Sequence, residues 1–592
     1  MNKKRIVLPL LLLAALCLSY GCYAIFAKWA DIPKPEHTKV IIEMNEMVPM
    51  RDGVNLAVDI YRPAKPGKYP TVLSRIPYGT DGGGYYKYIG KYFAKNGYVM
   101  LAQDCRGIEN SEGTWYPLIY EIPDGKDTVE WIKRQSWYDG TLGMIGASYF
   151  GYTQWETALD NPDVTCMVPL FTSPNMFDMV INGGALEYIM VEGWLEGMES
   201  QVKETEWDPD FESGYFNAPM REAQPIDMEA IRENPTQYSP MALLEHPGDV
   251  QNKAPGDFEP YYKTVSAPGL LIGGWYDQFL QPQLDDFVAI RKEGKGNARE
   301  SRLIVGPWTH GIPQSDLEDG KYAGIKMFLH QSLAWYERWL KGVQNGIEDQ
   351  APVKIFVMGE NVWRDEQEWP LARTEYTNYY LHSRGNAELG EDSDGSLSKQ
   401  APGSDEPVDT FKYDPKNPRP TKGGTFQPFT GIPAGSFDQA EFLERKDTLL
   451  FMTPELKEGV EVTGPISVTL YASSSAKDTD FTAMLMDVHP DGKFMYIQDG
   501  CIRARYRNGY DEGAPLKPGK VYEFTLDLWS TSNYFKPGHR IAVEISSSNY
   551  PQYNRNTNGG GEGGIDNIVV ADQTIYHNKE YPSHITLPVI PR

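Results

Sequence analysis

The sequence predicts an α/β region with a mostly parallel sheet, followed by an all-β region. Up to Gly346, apolar runs of strand length alternate with helical patterns, which is typical of a parallel sheet covered on both faces. After Gly346, apolar residues recur at every second position between Gly- and Pro-containing turns, which favours a β-sandwich. A chain of 592 residues is also too long for a single core, so we expect several domains.

The predicted elements of the α/β region are six strands and two helices. The strands are Pro70–Ser74, Tyr98–Ala102, Leu142–Ile145, Cys166–Phe171, Gly269–Ile272 and Arg302–Val305. The helices are Asp124–Arg134 and Gly324–Leu340. In the first helix, Asp124 stands where a residue could cap the first turn, while Val129 and Ile132 form an inward stripe.

Two further segments complete the domain plan. Between Pro174 and Pro255 the alternation gives way to a Met-, Trp- and Glu-rich stretch with helical character, which predicts an inserted helical cap. Strands with period-two alternation follow later, at Ile466–Tyr471, Val521–Leu526 and Ile541–Ile545. The predicted domains are a leader over 1–27, an α/β domain over 32–173 and 256–346, the cap over 174–255, and a jelly-roll β-sandwich of the galactose-binding-like type over 347–592.

The first residues have the pattern of an export signal. The basic run Lys3-Lys4-Arg5 precedes an apolar run from Ile6 to about Cys17. Apolar character continues to Ala27, giving about 20 residues, which is long enough to remain as a membrane anchor. Lipidation at Cys22 is a third interpretation, although Ser19 and Tyr20 match the lipoprotein pattern poorly. Cleavage, anchoring and lipidation all predict an exported protein that is periplasmic, secreted or held on the outer side of a membrane.

Composition excludes several classes of partner. The net charge of −25 arises from 56 basic and 81 acidic residues, and no basic stretch offers a surface to nucleic acid. Beyond the leader only Cys105, Cys166 and Cys501 remain, so we expect buried thiols and no disulfide framework. Neither C-x-x-C nor H-E-x-x-H occurs and the nine histidines are scattered, which predicts no metal site and no cofactor.

The segment Gly146-Ala147-Ser148-Tyr149-Phe150-Gly151 has the pattern of a nucleophile elbow. It follows an apolar run and precedes a helix-compatible stretch, so its small residues would allow a sharp turn that exposes the serine hydroxyl. Such a pattern also occurs in ordinary turns, and the rest of the chain must decide between the two interpretations.

An acyl-transfer serine needs a base and a group that orients the base. In the α/β-hydrolase plan these follow in the order Ser, then Asp or Glu, then His. Asp277 follows the predicted strand at Gly269–Ile272, and His310 follows the next one, at Arg302–Val305. Taken alone, Asp277 could be a helix N-cap and His310 an ordinary loop histidine. Their order and their positions after parallel strands favour a Ser-Asp-His triad.

Several further motifs give the chain a specific resemblance. They are Val48-Pro49-Met50-Arg51-Asp52-Gly53-Val54-Asn55-Leu56, Tyr61-Arg62-Pro63, Gln103-Asp104-Cys105-Arg106-Gly107, Ser111-Glu112-Gly113, Asp139-Gly140, Thr153-Gln154-Trp155, Val462-Thr463-Gly464-Pro465 and Thr479-Asp480-Phe481-Thr482. With the elbow and the Asp277 and His310 segments, the chain resembles the serine hydrolases that include bacterial cocaine esterase, X-Pro dipeptidyl-peptidase, cephalosporin acylases and α-amino-acid ester hydrolases. The resemblance runs nearly end to end and implies an α/β-hydrolase fold.

The resemblance also implies roles for individual residues. Ser148 would be the nucleophile, His310 the general base and then acid, and Asp277 the group that fixes the imidazole tautomer. The family's oxyanion hole combines the backbone N–H after the nucleophile, here that of Tyr149, with a tyrosine hydroxyl, which corresponds to Tyr78. The family usually carries Lys or Arg shortly after that tyrosine, and this chain departs from the pattern.

The substrate prediction depends on the residues after Asp277. Amino-acid ester hydrolases of this family place acidic residues there to hold an ammonium group, whereas this chain has Phe279 and Leu280. An apolar site cannot stabilise a cation, so we expect a neutral, apolar acyl group with Phe279 as a pocket wall, and an ester as substrate. Packing in the core is the alternative role of Phe279. An acylase or an X-Pro dipeptidyl-peptidase acting on amides is the alternative enzyme.

Two interpretations from other classes stay open. The sandwich could bind carbohydrate through exposed aromatics such as Trp529 and Tyr534, with the hydrolase region as an accessory. The chain could also be a surface protein with a vestigial catalytic core. Because no triad member is missing, the sequence favours an enzyme.

Overall fold

The structure is a computed structural model, and it describes ten stretches of the chain. These are residues 36–80, 85–115, 117–191, 194, 261–310, 323–388, 393–426, 432–509, 513–560 and 567–592. The predicted leader with Cys22 lies outside the described residues, as does the predicted cap beyond its first residues. Within the described residues, no helix combines the length and the apolar character needed to span a bilayer.

The secondary structure consists of six described α-helices and 23 described strands. The helices are α1 (Tyr85–Lys95), α2 (Glu121–Lys133), α3 (Tyr149–Ala158), α4 (Met176–Val180), α5 (Leu280–Glu293) and α6 (Ala323–Trp339). The first twelve strands are β1 (Val40–Pro49), β2 (Asn55–Pro63), β3 (Tyr69–Ile76), β4 (Val99–Asp104), β5 (Tyr138–Ala147), β6 (Cys166–Leu170), β7 (Ile181–Asn182), β8 (Ala185–Leu186), β9 (Leu270–Gly274), β10 (Arg302–Gly306), β11 (Val353–Val357) and β12 (Val362–Glu366). The others are β13 (Glu375–His382), β14 (Ser396–Ser398), β15 (Asp409–Tyr413), β16 (Thr448–Met452), β17 (Val460–Ser474), β18 (Asp480–Val488), β19 (Phe494–Arg503), β20 (Tyr522–Phe535), β21 (Arg540–Ser546), β22 (Ala571–Tyr576) and β23 (His584–Ile590).

The chain divides into two compact units. The first comprises the described residues up to Val168 together with Ile325–Ile347, and the second comprises the other described residues. In the first unit the strand order is β1-β2-β4-β3-β5-β6. Strand β2 is antiparallel to β1 and β4, whereas β3 is parallel to β4 and β5. Because β3, β4 and most of β5 are buried, they read as continuous apolar runs in the sequence.

Helix α2 begins earlier than the sequence predicts. The predicted helix starts with a cap at Asp124, but the observed helix starts at Glu121, with Tyr120 at its N-cap. Asp124 is instead almost fully buried in the first turn, where its Oδ1 accepts a charge-assisted hydrogen bond from Arg106 Nη2 at 2.6 Å. The cap prediction is therefore wrong, because a partner distant in sequence uses this carboxylate.

The quoted sequence motifs of the first unit come together in space. Arg106 also contacts Asp52 Oδ2 through Nη1 at 2.8 Å. The Ser111 hydroxyl donates to the Asp104 carbonyl at 2.8 Å and accepts the N–H of Ala57 at 2.9 Å. These contacts join β2, the loop after β4 and helix α2, so the motifs fix the scaffold that carries the loops after β3 and β4.

In the second unit, the end of β6 at Pro169 and Leu170 is followed in the sheet by β9, β10, β11 and β12. Strands β6, β9, β10 and β11 are parallel, and β12 is antiparallel to β11. Residues 353–366 fall in the range predicted for the sandwich, but they add β11 and β12 to this sheet. The described start of the predicted cap contains α4 and the hairpin of β7 and β8. The domain boundaries of the sequence analysis stay predictions.

Strands β13 to β23 form the C-terminal all-β domain. Most neighbours are antiparallel, and β17 pairs with β20, β22 and β23. Inward-facing apolar residues of these strands form one large buried cluster, of which Leu470, Leu526 and Val543 are fully buried members. The predicted order of a mostly parallel sheet with helices, followed by a C-terminal all-β domain, is therefore confirmed.

The aromatic residues on which a carbohydrate-binding role depended do not form an exposed patch. Trp529 is only 6% exposed and has φ of 59°, next to a register shift between β17 and β20. Such a bulge interrupts the alternation of the strand and changes which face a side chain takes, so the expectation of an exposed Trp529 is wrong. Tyr534 is half-buried under the Arg592 guanidinium, 4.1 Å from its ring centroid.

The three cysteines beyond the leader are buried and free, as predicted. Burial raises the pKa of each of these thiols well above its usual range. Because the thiolate is the reactive form, Cys105, Cys166 and Cys501 behave as small apolar core residues.

Candidate active site

Ser148 lies in the turn between β5 and α3. Its backbone has φ of 57° and ψ of −131°, a conformation that costs free energy for a residue with a Cβ and that clusters at functional sites. The side chain is partly exposed, while both neighbouring elements are largely buried. Gly146 makes the turn possible, because a Cβ there would lie 2.2 Å from the carbonyl oxygen of Phe150. The predicted strand, turn and helix are therefore present at Ser148.

Gln154 ties this turn to the neighbouring strand. Its Nε2 donates to the carbonyl oxygens of Gly146 at 3.0 Å and Val168 at 3.2 Å. Its Oε1 accepts the N–H of Val168 at 3.1 Å. A fully buried amide with these partners locks the start of α3 onto β6.

Tyr149 occupies the first position of α3, where backbone N–H groups point out along the helix axis toward a developing negative charge. Its hydroxyl donates to Glu121 Oε1 at 3.0 Å and accepts the N–H of Leu118 at 2.7 Å. Burial, and then the charge of Glu121, raise the pKa of Tyr149 well above its usual range. The side chain is thus an anchor, and the backbone N–H is the part of Tyr149 suited to binding an oxyanion.

A buried ion pair supports this anchor. Arg75 Nη2 and Glu121 Oε2 are 3.0 Å apart, and their side chains are 0% and 4% exposed. Arg75 also donates to the carbonyl oxygen of Glu121 at 2.8 Å, while its own carbonyl accepts the hydroxyl of Thr153 at 3.1 Å. The pair therefore connects the end of β3, three residues before Tyr78, with α2 and α3.

Tyr78 lies against the helix that begins after Ser148. Its ring meets the ring of Phe150 edge to face, with centroids 6.1 Å apart, and Tyr78 is partly exposed. The loop after β3, which carries Tyr78, is fixed by a hydrogen bond in which Asp104 Oδ1 accepts the N–H of Thr80 at 2.8 Å. Burial raises the pKa of Asp104 to about 7. The first unit thus brings Ser148, Tyr149 and Tyr78 to one region.

Asp277 and His310 meet in the second unit. Strands β9 and β10 are parallel neighbours with Gly274 opposite Gly306, so the loops after them start side by side. Backbone hydrogen bonds join these loops, from the Trp275 N–H to the Gly306 carbonyl at 2.9 Å and from the Tyr276 N–H to the Trp308 carbonyl at 3.0 Å. The sequence places Asp277 after β9 and His310 after β10, and the parallel pairing of these two strands brings the residues together.

The contact between Asp277 and His310 selects one tautomer of the imidazole. Asp277 is 0% exposed, and its Oδ2 lies 2.7 Å from His310 Nδ1. Its Oδ1 accepts the N–H of Phe279 at 2.7 Å, which fixes the carboxylate. With Nδ1–H donating to the carboxylate, Nε2 of a neutral imidazole carries the lone pair that can accept a proton.

Two phenylalanine rings flank the imidazole. The ring centroid of Phe279 lies 5.7 Å and that of Phe171 lies 6.1 Å from the centroid of His310. Phe279 is 2% exposed and packs in an apolar cluster with Met179, Met190 and Val191. Phe171 was not predicted as a site residue; the only signal in the sequence is its place as the last residue of the predicted strand Cys166–Phe171.

These observations define the class of the protein. A mostly parallel sheet, a strained serine at a strand–helix turn, and a buried Asp-His pair after successive strands are features of an α/β hydrolase. The class of fold alone does not determine the reaction or the substrate.

Comparisons with known proteins identify the family. Residues 52–312 match the family model described as X-Pro dipeptidyl-peptidase (S15 family). Residues 345–586 match the model described as X-Pro dipeptidyl-peptidase C-terminal non-catalytic domain. The chain is 35% identical to the cocaine esterase of Rhodococcus sp. (strain MB1 Bresler), over 93% of this chain and 99% of that esterase.

Solved structures agree with this similarity. An aminopeptidase from a marine sediment archaeon, Thaumarchaeota archaeon, matches with a TM-score of 0.75 and 25% identity, over 95% of this chain and 99% of that one. An α-amino acid ester hydrolase matches in fold with a TM-score of 0.73 and 24% identity, over 95% and 98% of the two chains. The chain belongs to the S15 family of serine hydrolases that includes cocaine esterase, and it is a serine hydrolase.

Proposed function

We propose that Ser148, His310 and Asp277 form the catalytic triad of an esterase that works through an acyl-serine intermediate. The observation that carries this proposal is the 2.7 Å contact between the buried Asp277 and His310 Nδ1, because it leaves Nε2 as the base that a serine requires. The strained backbone of Ser148 at its strand–helix turn is a second, independent support.

In this mechanism His310 Nε2 takes the hydroxyl proton of Ser148 as Oγ attacks the substrate carbonyl carbon. The tetrahedral intermediate carries its negative charge on the former carbonyl oxygen, and we assign the Tyr149 N–H and the Tyr78 hydroxyl as the donors that stabilise it. Collapse of the intermediate expels the alcohol, which receives the proton from His310. Water then attacks the acyl-serine with His310 as base, and the acid and the free serine are released.

The acyl group we propose is neutral and apolar. The support is local, because Phe279 packs beside the His310 ring and, among the described residues, its buried neighbours Met179, Met190 and Val191 are apolar, which favours an uncharged acyl group there. The 35% identity to a cocaine esterase supports an ester rather than an amide as the scissile group. Cleavage of an amide is the second candidate, supported by the similarity to an archaeal aminopeptidase.

The test is a comparison of kcat/KM values for purified full-length protein on one substrate panel. The panel contains short-chain and aryl nitrophenyl esters, a glutaryl amide, an amino-acid methyl ester and an Xaa-Pro anilide, with Ser148→Ala as the matched control. We expect the neutral acyl esters to be preferred and the control to be inactive. Preference for the amino-acid ester or the Xaa-Pro substrate would overturn the apolar acyl assignment.

Labelling with a fluorophosphonate probe tests the nucleophile itself. We expect labelling of the wild type that disappears in Ser148→Ala. Absence of labelling in folded wild-type protein would instead support a vestigial core.

We also propose that the protein is exported. The support is the basic run Lys3-Lys4-Arg5 before an apolar stretch, the usual order of an export signal. Mass spectrometry of the N-terminus in membrane and extracellular fractions, for wild type and Cys22→Ser, separates cleavage, anchoring and lipidation. An intact N-terminus found in the cytoplasmic fraction alone would refute export.

A further inference from the structure

Three chemistry-bearing side chains of the all-β domain share one face at the ends of two neighbouring strands. Strands β18 and β21 are antiparallel, with Asp487 opposite Ile541 and Val488 opposite Arg540. Continuing this register by one residue sets His489 opposite His539. Alternate residues of a strand and directly opposed residues of an antiparallel pair lie on the same side of a sheet, so strand pairing assembles Asp487, His489 and His539.

The distances between these groups are close to those of metal ligands. His539 Nδ1 is 2.8 Å from Asp487 Oδ1, and His489 Nε2 is 3.6 Å from Asp487 Oδ2. The two imidazole centroids are 4.5 Å apart, and one ligand atom from each residue lies within 4.8 Å of the others. Two ligands of tetrahedral Zn²⁺, bound at 2.0–2.1 Å, are about 3.3 Å apart. Small side-chain movements therefore suffice to bring the three groups around one ion.

The burial of the cluster suits an ion that keeps solvent ligands. The side chains of Asp487 and His539 are 6% and 12% exposed, whereas that of His489 is 33% exposed. The site is thus closed toward the domain and open on the side of His489, where water could complete the coordination.

Neighbouring charges do not oppose a cation. The Lys493 ammonium is 3.7 Å from Asp491, and the Arg540 guanidinium is 3.3 Å from Glu455, so each of these cations has its own carboxylate. The carboxylate of Asp487 has no guanidinium or ammonium partner among the described residues. Two imidazoles on one carboxylate match the nitrogen and oxygen ligands that Zn²⁺ and related ions bind.

We propose that Asp487, His489 and His539 bind a divalent first-row transition-metal ion, with Zn²⁺ the best match. His489 Nε2 and His539 Nδ1 donate lone pairs to the ion, and Asp487 supplies one carboxylate oxygen. Each imidazole binds in its neutral form with the proton on the other ring nitrogen, so a proton on His539 Nδ1 is exchanged through solvent for one on Nε2. The ion cross-links the loop after β18 to the turn before β21 and takes no part in ester hydrolysis. Short sequence motifs for zinc do not include this site, because His489 and His539 are fifty positions apart in the sequence. Only the pairing of β18 with β21 brings them together.

The experiment is a titration of EDTA-treated full-length protein with Zn²⁺ by calorimetry and with Co²⁺ by visible absorption. We expect one saturable equivalent and the intense visible bands of four- or five-coordinate Co²⁺. His489→Ala and His539→Ala should each weaken binding by more than about 100-fold, beyond the 10–100-fold typical of losing an outer-shell partner. His584→Ala, in a histidine of the same domain outside the cluster, is the matched control and should bind like wild type.

Thermal unfolding gives a second measurement. An ion that binds only the folded chain stabilises it by mass action, so Zn²⁺ should raise the Tm of wild type and His584→Ala but not that of His489→Ala. His489→Ala keeps the 2.8 Å contact between Asp487 and His539 and should fold with unchanged esterase activity. Absence of a saturable equivalent in wild type, or equal affinity and equal Tm response in His489→Ala, would overturn the proposal.

Discussion

The Tyr78 hydroxyl is one of two groups that we assign to the oxyanion, and its contribution can be measured by removing one oxygen atom. Tyr78→Phe keeps the ring that packs on Phe150 and deletes only the donor. We expect kcat to fall by about 10²–10³, which corresponds to roughly 2.7–4 kcal/mol of lost transition-state stabilisation. The measurement is steady-state kinetics on the best ester of the panel.

A neighbouring tyrosine supplies the control. Tyr86 also packs on the ring of Phe150, with centroids 6.2 Å apart, and we assign it no role in the reaction. Tyr86→Phe should leave kcat near that of wild type. If Tyr78→Phe keeps full kcat, or if both variants lose activity equally, Tyr78 is not an oxyanion donor.

Asp277 acts through His310, so its removal should reduce kcat without changing the fold. Asp277→Asn fits the same space, but its amide can donate to Nδ1 and favour the wrong imidazole tautomer. We expect kcat to fall by about 10⁴, the cost of this change in a Ser-His-Asp triad. Asp285→Asn, on the exposed side of α5, is a matched control that should keep normal kinetics. Equal activity of the two variants would refute the triad assignment of Asp277.

At the scale of elements, Asp104 fixes the loop that follows β3 and makes stability depend on pH. Burial raises the pKa of Asp104 to about 7 in the folded chain, whereas an unfolded aspartate titrates near about 3.9. Between these values the unfolded chain has lost the proton that the folded chain keeps. Asp104 should therefore lower the free energy of unfolding by about 4 kcal/mol as pH rises from about 4 to about 7, with no further change above.

Asp104→Asn tests this dependence. Its side-chain oxygen still accepts the Thr80 N–H, which is 2.8 Å away in the wild type, but it carries no titrating proton. Thermal midpoints measured from pH 4 to pH 8 should fall less steeply for the variant than for wild type, and the variant should be the more stable at pH 8. Parallel curves would contradict a raised pKa of Asp104.

At the same scale, element positions show which parts of the fold the sequence can predict. Strand β3, predicted over Pro70–Ser74, spans Tyr69–Ile76, because burial on both faces leaves an uninterrupted apolar run. Strand β1 was not predicted, since half of its residues are exposed and it has no clear alternation. Trp529 was misassigned because a bulge, invisible in the sequence, reverses the alternation of β20. The local sequence pattern predicts regular elements that are buried. The positions of exposed strands and of bulges depend on pairing with distant strands, which the local pattern does not show.

The residues of the candidate site also divide into those that the local sequence predicts and those that only the fold reveals. Ser148 is recognisable because the elbow is a local feature, with a glycine where a Cβ would collide. Asp277 and His310 are recognisable because both follow apolar strands in the order of the α/β-hydrolase plan. Phe171 and Gln154 act through neighbours that only the fold supplies, and the cluster of Asp487, His489 and His539 exists only through the pairing of β18 with β21.

At the scale of the whole molecule, ion pairs buried inside the protein replace part of its apolar core. In the all-β domain, Arg419 Nε lies 2.8 Å from Glu544 Oε1, with both side chains at most 5% exposed. Arg419 also donates to Gln439 Oε1 at 2.9 Å and packs over the ring of Phe442, 4.5 Å from its centroid. This network ties the segment after β15 to β21.

Removing one charge of this pair should lower the free energy of unfolding more than removing both charges. Arg419→Met leaves the Glu544 carboxylate buried without its cation, and we expect the free energy of unfolding to fall by about 3–5 kcal/mol. The double variant Arg419→Met with Glu544→Leu removes both charges and should recover much of that loss. Lys412→Met breaks an exposed pair with Asp572 and should change stability by only about 0–1 kcal/mol. The measurement is urea unfolding of wild type, Arg419→Met, the double variant and Lys412→Met. A double variant as unstable as Arg419→Met would show that lost packing, and not an unpaired buried charge, causes the loss of stability.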